Sequence, residues 1–144
     1  LTRQQIDDCS CEFPIVDPRY HGTRQRYVFV MANDRPEQNL PYRDIVKCDV
    51  LDGKGGRDAW HSEGLVGEPT FIPRAGQSAD GDDGWLIVQL FLPREQRTQF
   101  VILDAKNIGA GPVCRLHLPH HIPLAFHTTF TPELVGVSNG SSPS

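Results

Sequence analysis

Apolar segments of strand length recur along the chain between polar, turn-forming stretches. RYVFVMA (26–32), DIVKCDVL (44–51), PTFIP (69–73), WLIVQLFL (85–92), QFVILDA (99–105) and VCRLHL (113–118) are rich in β-branched and aromatic residues, and each predicts a β-strand. DGKGGRD, PRAGQSADGDDG, PREQRT and KNIGAGP lie between them. Such Gly-, Pro- and Asp-rich connections suit hairpins and break helices. No segment sustains an apolar repeat of 3.6 residues. The expectation is an all-β chain of short antiparallel strands, as in a sandwich, barrel or propeller. WLIVQLFL is apolar on both faces, as in a strand stacked between layers, whereas VCRLHL alternates and so covers one face.

At 144 residues the chain is long enough for one ordinary domain with its own core, burying about 70% of its unfolded surface. Fourteen Lys and Arg against 18 Asp and Glu give a formal charge of -4, with no long basic run to bind nucleic acid or anionic lipid. The longest apolar run, 85–92, is interrupted by Gln89 and falls far short of the roughly 20 residues of a membrane span.

LTRQQID at the start has no initiator Met, basic n-region or apolar h-region, the expectation for a chain cut from something longer. The last residues, VGVSNGSSPS, have the composition of a flexible polar tail, expected over 135–144. Asn139-Gly140-Ser141 matches a glycosylation sequon that chance in such a tail also explains. Cys9, Cys11, Cys48 and Cys114 lack Cys-x-x-Cys spacing, so free thiols of an intracellular protein are expected. DGDDG at 80–84 resembles a calcium loop, but the twelfth position from Asp80 is Phe91 rather than Glu; it reads as an acidic turn. GAGP at 109–112 lacks the spacing of a dinucleotide fingerprint and reads as a turn.

Four of the six histidines, His117, His120, His121 and His127, fall within eleven residues. Adjacent side chains diverge on extended chain, and Pro119 and Pro123 stiffen the segment, so convergence on one metal would need a tight reversal. For His127 alone, the residues favour a hydrogen-bonded buried histidine over a ligand whose partners lie elsewhere.

The blocks EFPIVDPRYHGTRQRYVFV, GEPTFIPRAG, DGWLIVQLF, FVILDA and LPHHIPLAFHTTF, in this order from Ile6 to Leu134, resemble the carotenoid oxygenase family. EFP, EPxFxPR and LPHxxPxxFH at these separations carry the likeness. The resemblance implies that residues 1–134 are the C-terminal portion of a seven-bladed β-propeller with ferrous iron on its axis, held by four histidines. His127 falls on the last of those ligands, and Glu12 and Glu68 on two of three glutamates that hydrogen-bond ligating histidines. The other three ligands and the third glutamate would lie upstream, leaving the site in this chain incomplete. Two departures are visible: Thr128 stands where the family usually has Gly, and Leu124-Ala125 where it has an aromatic-Gly pair. A buried carboxylate beside a metal-bound imidazole fixes its tautomer and orientation, which agrees with a Glu placed just before Pro at the head of an apolar strand.

The implied activity is oxidative cleavage of a carbon-carbon double bond in a carotenoid, apocarotenoid or stilbene-like substrate, with four imidazoles leaving two cis positions for dioxygen. Leu124, Phe126 and Phe130 become candidate wall residues of an apolar tunnel, though packing explains them equally well. The expected partners are the apolar polyene and dioxygen, with peripheral membrane contact of the full-length protein for substrate uptake. The expected compartment is intracellular, cytoplasmic or plastid. The fragment alone, with one ligand of four, is expected to be inactive. Two alternatives stay open: an isomerising or inactive member of the same fold, and a metal-free β-rich binding module, or one with zinc on His117, His120 and His121.

Overall fold

The computed structural model describes residues 3, 5–33, 41–51, 56–76 and 80–133. The expected tail at 135–144, the boundary at 134 and the sequon at Asn139 lie outside them. β1 (Ser10–Ile15), β2 (Tyr27–Asn33), β3 (Asp44–Asp49) and β4 (Gly56–His61) form one antiparallel sheet in chain order. The second sheet holds β5 (Leu65–Val66), β6 (Thr70–Pro73), β7 (Gly84–Leu92), β8 (Arg97–Asp104) and β9 (Pro112–His117). In it β5 and β6 both pair with one edge of β7, and β8 and β9 follow on the other. Among the described residues no helix is long and apolar enough to cross a membrane.

Period-two alternation places the core between the sheets. Phe29, Met31, Ile45 and Trp60 of the first sheet meet Phe71, Leu86, Val88, Leu90, Val101 and Leu103 of the second in one buried cluster. Burying each such side chain contributes about 1.5–3 kcal/mol. The alternate residues Trp85, Ile87, Gln89 and Phe91 of β7 and Thr98, Phe100 and Ile102 of β8 therefore face away from the first sheet. Gly84 belongs to the close approach of strands: a Cβ there would lie 2.5 Å from Phe71 Cζ.

Charged groups fasten the sheets at one end. The acidic turn before β7 sends Asp82 to Lys47 Nζ on β3 at 2.7 Å, while Asp83 takes Lys106 at 2.9 Å. The Lys106 ammonium, donating to it with help from Arg74, holds the Asp83 carboxyl below the usual range. Arg19, gripped by buried Asp17, donates to the carbonyls of Arg74 and Gly76 at 3.1 and 2.7 Å.

All four cysteines are free thiols. Cys9 packs against the cluster of Val30, Ala32, Val46 and Cys48 on the outer face of the first sheet, where burial and then the neighbouring Asp7 push its thiol up to about 12. Burial likewise raises Cys48. Because only the thiolate attacks, iodoacetamide at pH 8 should alkylate exposed Cys11 and Cys114 well before Cys9 and Cys48, as peptide mass mapping would show. Cys9 modified as fast as Cys114 would contradict this.

Candidate metal centre

Each sheet has an irregular strand at one edge, and each irregularity holds a glutamate. In β1 the register with β2 breaks between Glu12 and Ile15, and Phe13 adopts φ 54°, unusual for a residue with a side chain. In the second sheet the ladder to β7 lapses between Val66 and Thr70, leaving Gly67-Glu68-Pro69 between β5 and β6. Proline cannot donate to a ladder, so Pro14 and Pro69 favour a break, and a break re-aims the side chain beside it. Glu68 thereby sits on the far face of the second sheet, the side away from the core.

After β9 the chain turns back across that face in extended form, crossing β8, β7 and then β6. Thr98 Oγ1 accepts from Ile122 N and donates to Ile122 O, both at 3.0 Å. Gln89 Nε2 donates to the carbonyls of Ile122 and Pro123 at 3.1 and 3.0 Å, and its Oε1 accepts from Ala125 N at 3.3 Å. At the far edge Glu68 Oε2 accepts from Thr128 N at 2.6 Å. The Thr128 hydroxyl meets Thr70 Oγ1 at 2.6 Å.

This crossing delivers His127 to Glu68, 59 residues earlier, with Nδ1 and Oε1 3.5 Å apart. A spacing of about 2.6–3.2 Å would be an ordinary hydrogen bond; here the shortest bond of the carboxylate goes to Thr128 N instead. The residues favour a buried histidine at this position, and the structure corrects that: the His127 side chain is 70% exposed. The neighbouring Leu124, Phe126 and Phe130 are exposed as well, so nothing among the described residues covers this tip. Nε2 has no hydrogen-bond partner among the described residues. Phe13 and Phe126 set their rings against the imidazole, edge to face, at 5.5 and 4.8 Å between centroids.

The other candidates stand apart. His121 Nδ1 lies 3.1 Å from Thr98 Oγ1 and its ring packs on Phe91, while His117 and His120 are exposed. Glu12 is exposed and makes no side-chain hydrogen bond among the described residues. Among those residues no group of three or more His, Cys, Asp and Glu could hold a metal. Of the three candidate wall residues, Phe130 lines an open apolar cleft of about 660 Å3 with Ile15, Phe71 and Ile72; Leu124 and Phe126 lie outside it. Sequence reasoning gave no role to Gln89, Thr98 and Phe13; the available signal was a glutamine inside an otherwise apolar strand, which the structure leaves 4% exposed.

A family model described as retinal pigment epithelial membrane protein matches residues 1–132. The chain belongs to this family, the carotenoid oxygenases. Among its curated relatives, the carotenoid oxygenase chain is 39% identical over 127 residues to an apocarotenoid-15,15'-oxygenase of Synechocystis, covering 88% of this chain and 26% of that one. It is 31% identical to an isoeugenol monooxygenase of Pseudomonas nitroreducens, covering 92% and 29%. It superposes on the crystal structure of a cobalt-substituted Synechocystis apocarotenoid oxygenase with a TM-score of 0.74 and 38% identity, covering 83% of this chain and 25% of that one. The two sheets are thus part of the β-propeller of the carotenoid oxygenases, and the chain spans about a quarter of the length of the curated relatives it matches.

Proposed function

We propose that this chain forms the C-terminal portion of a non-haem iron(II) oxygenase that cleaves a carbon-carbon double bond in a carotenoid, apocarotenoid or stilbene-like substrate, and that His127 is one of its iron ligands. The observation that carries the reading is the delivery of His127, across a whole sheet, to a carboxylate at the sheet edge while Nε2 stays unpartnered. The residues fit such a metal as a partial donor set. A neutral imidazole with Nδ1 toward a carboxylate offers Nε2 as a donor, and the remaining ligands come from outside this chain. When bound, ferrous iron supplies the activation of dioxygen.

The chain's own residues do the rest. Glu68 faces Nδ1 of His127, the side on which a carboxylate would hold the ring proton, and through Thr128 N fixes the backbone that carries the ring. Glu12 serves a histidine absent from this chain. Phe13 and Phe126 restrict rotation of the imidazole. The cleft beside Thr128 and Phe130 offers an apolar surface to a polyene without a charged group to anchor it.

The full-length protein should retain stoichiometric iron and convert an apocarotenoid or a stilbene, in an oxygen-dependent reaction, to two carbonyl products separable by chromatography and mass. Glu68→Gln should lower iron affinity or activity about 10–100-fold, because an amide brings no charge to oppose the metal. Absence of iron from the full-length protein, or unchanged iron content in Glu68→Ala, would defeat the reading.

A further inference from the structure

The arm at 118–130 contains two prolines and an exposed apolar tip, features that by themselves give it no reason to lie along the second sheet. Its position is set from beneath by two buried polar residues. Thr98 is 1% and Gln89 4% exposed, and both lie on the far face of adjacent strands in a region otherwise made of Trp85, Ile87, Phe91, Phe100 and Ile102. A buried amide needs hydrogen-bond partners, and among the described residues those of the Gln89 side chain all come from the arm. The converse holds for the arm. Ile122 and Pro123 present carbonyls and Ala125 an amide to the sheet, and a single Gln89 side chain satisfies all three. Thr98 closes both backbone groups of Ile122. Every one of these bonds goes to backbone, so the clamp fixes where the chain runs. Ala125 is two residues before His127, which makes Gln89 the last fixed point before the candidate ligand.

We propose that Gln89 is a positioning residue for His127, acting with Thr98 as a backbone clamp that sets the register of the arm and therefore the place of the imidazole. This rests on the iron reading of His127 but assigns a role to residues that touch neither iron nor substrate. Leu is close to Gln in size and keeps the apolar contacts of β7, so Gln89→Leu removes the clamp while leaving the two-sheet core in place.

The test uses the full-length protein and two readouts other than turnover. Hydrogen exchange followed by mass spectrometry should show peptides spanning 118–130 of Gln89→Leu exchanging at least about tenfold faster, as expected when buried amides lose their partners, with peptides of β7 and β8 unchanged. A residue that only stabilised the sheet would accelerate β7 and β8 together with the arm. Transfer of iron to a chelator should accelerate by a similar factor, and Thr98→Val should move both readouts in the same direction. Unchanged exchange in the arm overturns the clamp. Faster arm exchange with unaltered iron transfer overturns the positioning role, provided His127→Ala loses iron in the same assay. If His127→Ala also leaves iron in place, the iron reading is what has failed, and the positioning proposal falls with it.

Discussion

His127→Ala in the full-length protein is expected to abolish iron retention, whereas His117→Ala and His120→Ala leave it intact. The four histidines look equivalent in a window of eleven residues, but their surroundings differ. His117 and His120 are exposed, and His121 is engaged by Thr98 and Phe91. Only His127 has one nitrogen toward a carboxylate and two aromatic edges against its ring. Removing a ligand outright exceeds the roughly 10–100-fold cost of losing a hydrogen-bond partner of a ligand, so the effect should pass well beyond that of Glu68→Gln. Metal analysis after gel filtration is the measurement. Iron retained by His127→Ala, or lost equally from His117→Ala, would show that the ligand has been misassigned.

Asp82→Ala is expected to produce the largest loss of stability among surface-turn substitutions, about 3 kcal/mol. Lys47 and Asp82 approach to 2.7 Å with side chains only 9% and 12% exposed, and removing one member of a buried pair strands the other charge at about 3–5 kcal/mol. The figure belongs at the low end, because the Lys47 ammonium keeps the Lys106 carbonyl at 3.3 Å and the Tyr27 ring at 4.1 Å. The double substitution Lys47→Met with Asp82→Leu should recover most of the loss, since no lone charge remains. Urea denaturation would measure both, and a loss below about 1 kcal/mol in Asp82→Ala would mean that water reaches the pair.

The strands that sequence pattern revealed are those with apolar residues on at least one face: β2, β3, β6, β7, β8 and β9 all coincide with β-branched or aromatic runs. β1 escaped because SCEFPI contains a proline and a bulge. β4, GRDAWH, reads as a loop since only Trp60 is buried, and it is a strand because β3 offers it a ladder. β5 is two residues long and carries no pattern. The site was legible in a different way. Composition and spacing favour a packed histidine at 127; resemblance alone singles it out as a ligand, together with Glu68. The exposure of His127 could not be read, because apolar neighbours such as Phe126 suggest burial whether or not the covering surface is within the chain. Gln89 registered only as an interruption in an apolar run, since the groups it satisfies lie more than thirty residues onward.

The strapping of the arm over the second sheet also fixes an order of events in folding. β7 and β8 form a local hairpin, whereas Gln89 meets Ile122 across 33 residues and Glu68 meets Thr128 across 60. Closing such loops costs more entropy than closing a hairpin, and the seat for the arm does not exist until β6, β7 and β8 are paired. Docking of His127 is therefore a late step, and a metal ion cannot use this histidine to template the sheet on which it rests. Nascent chains would pass through a stage in which β6, β7 and β8 are paired and the arm is still adrift, so the proposed ligand would become available only after its seat is built.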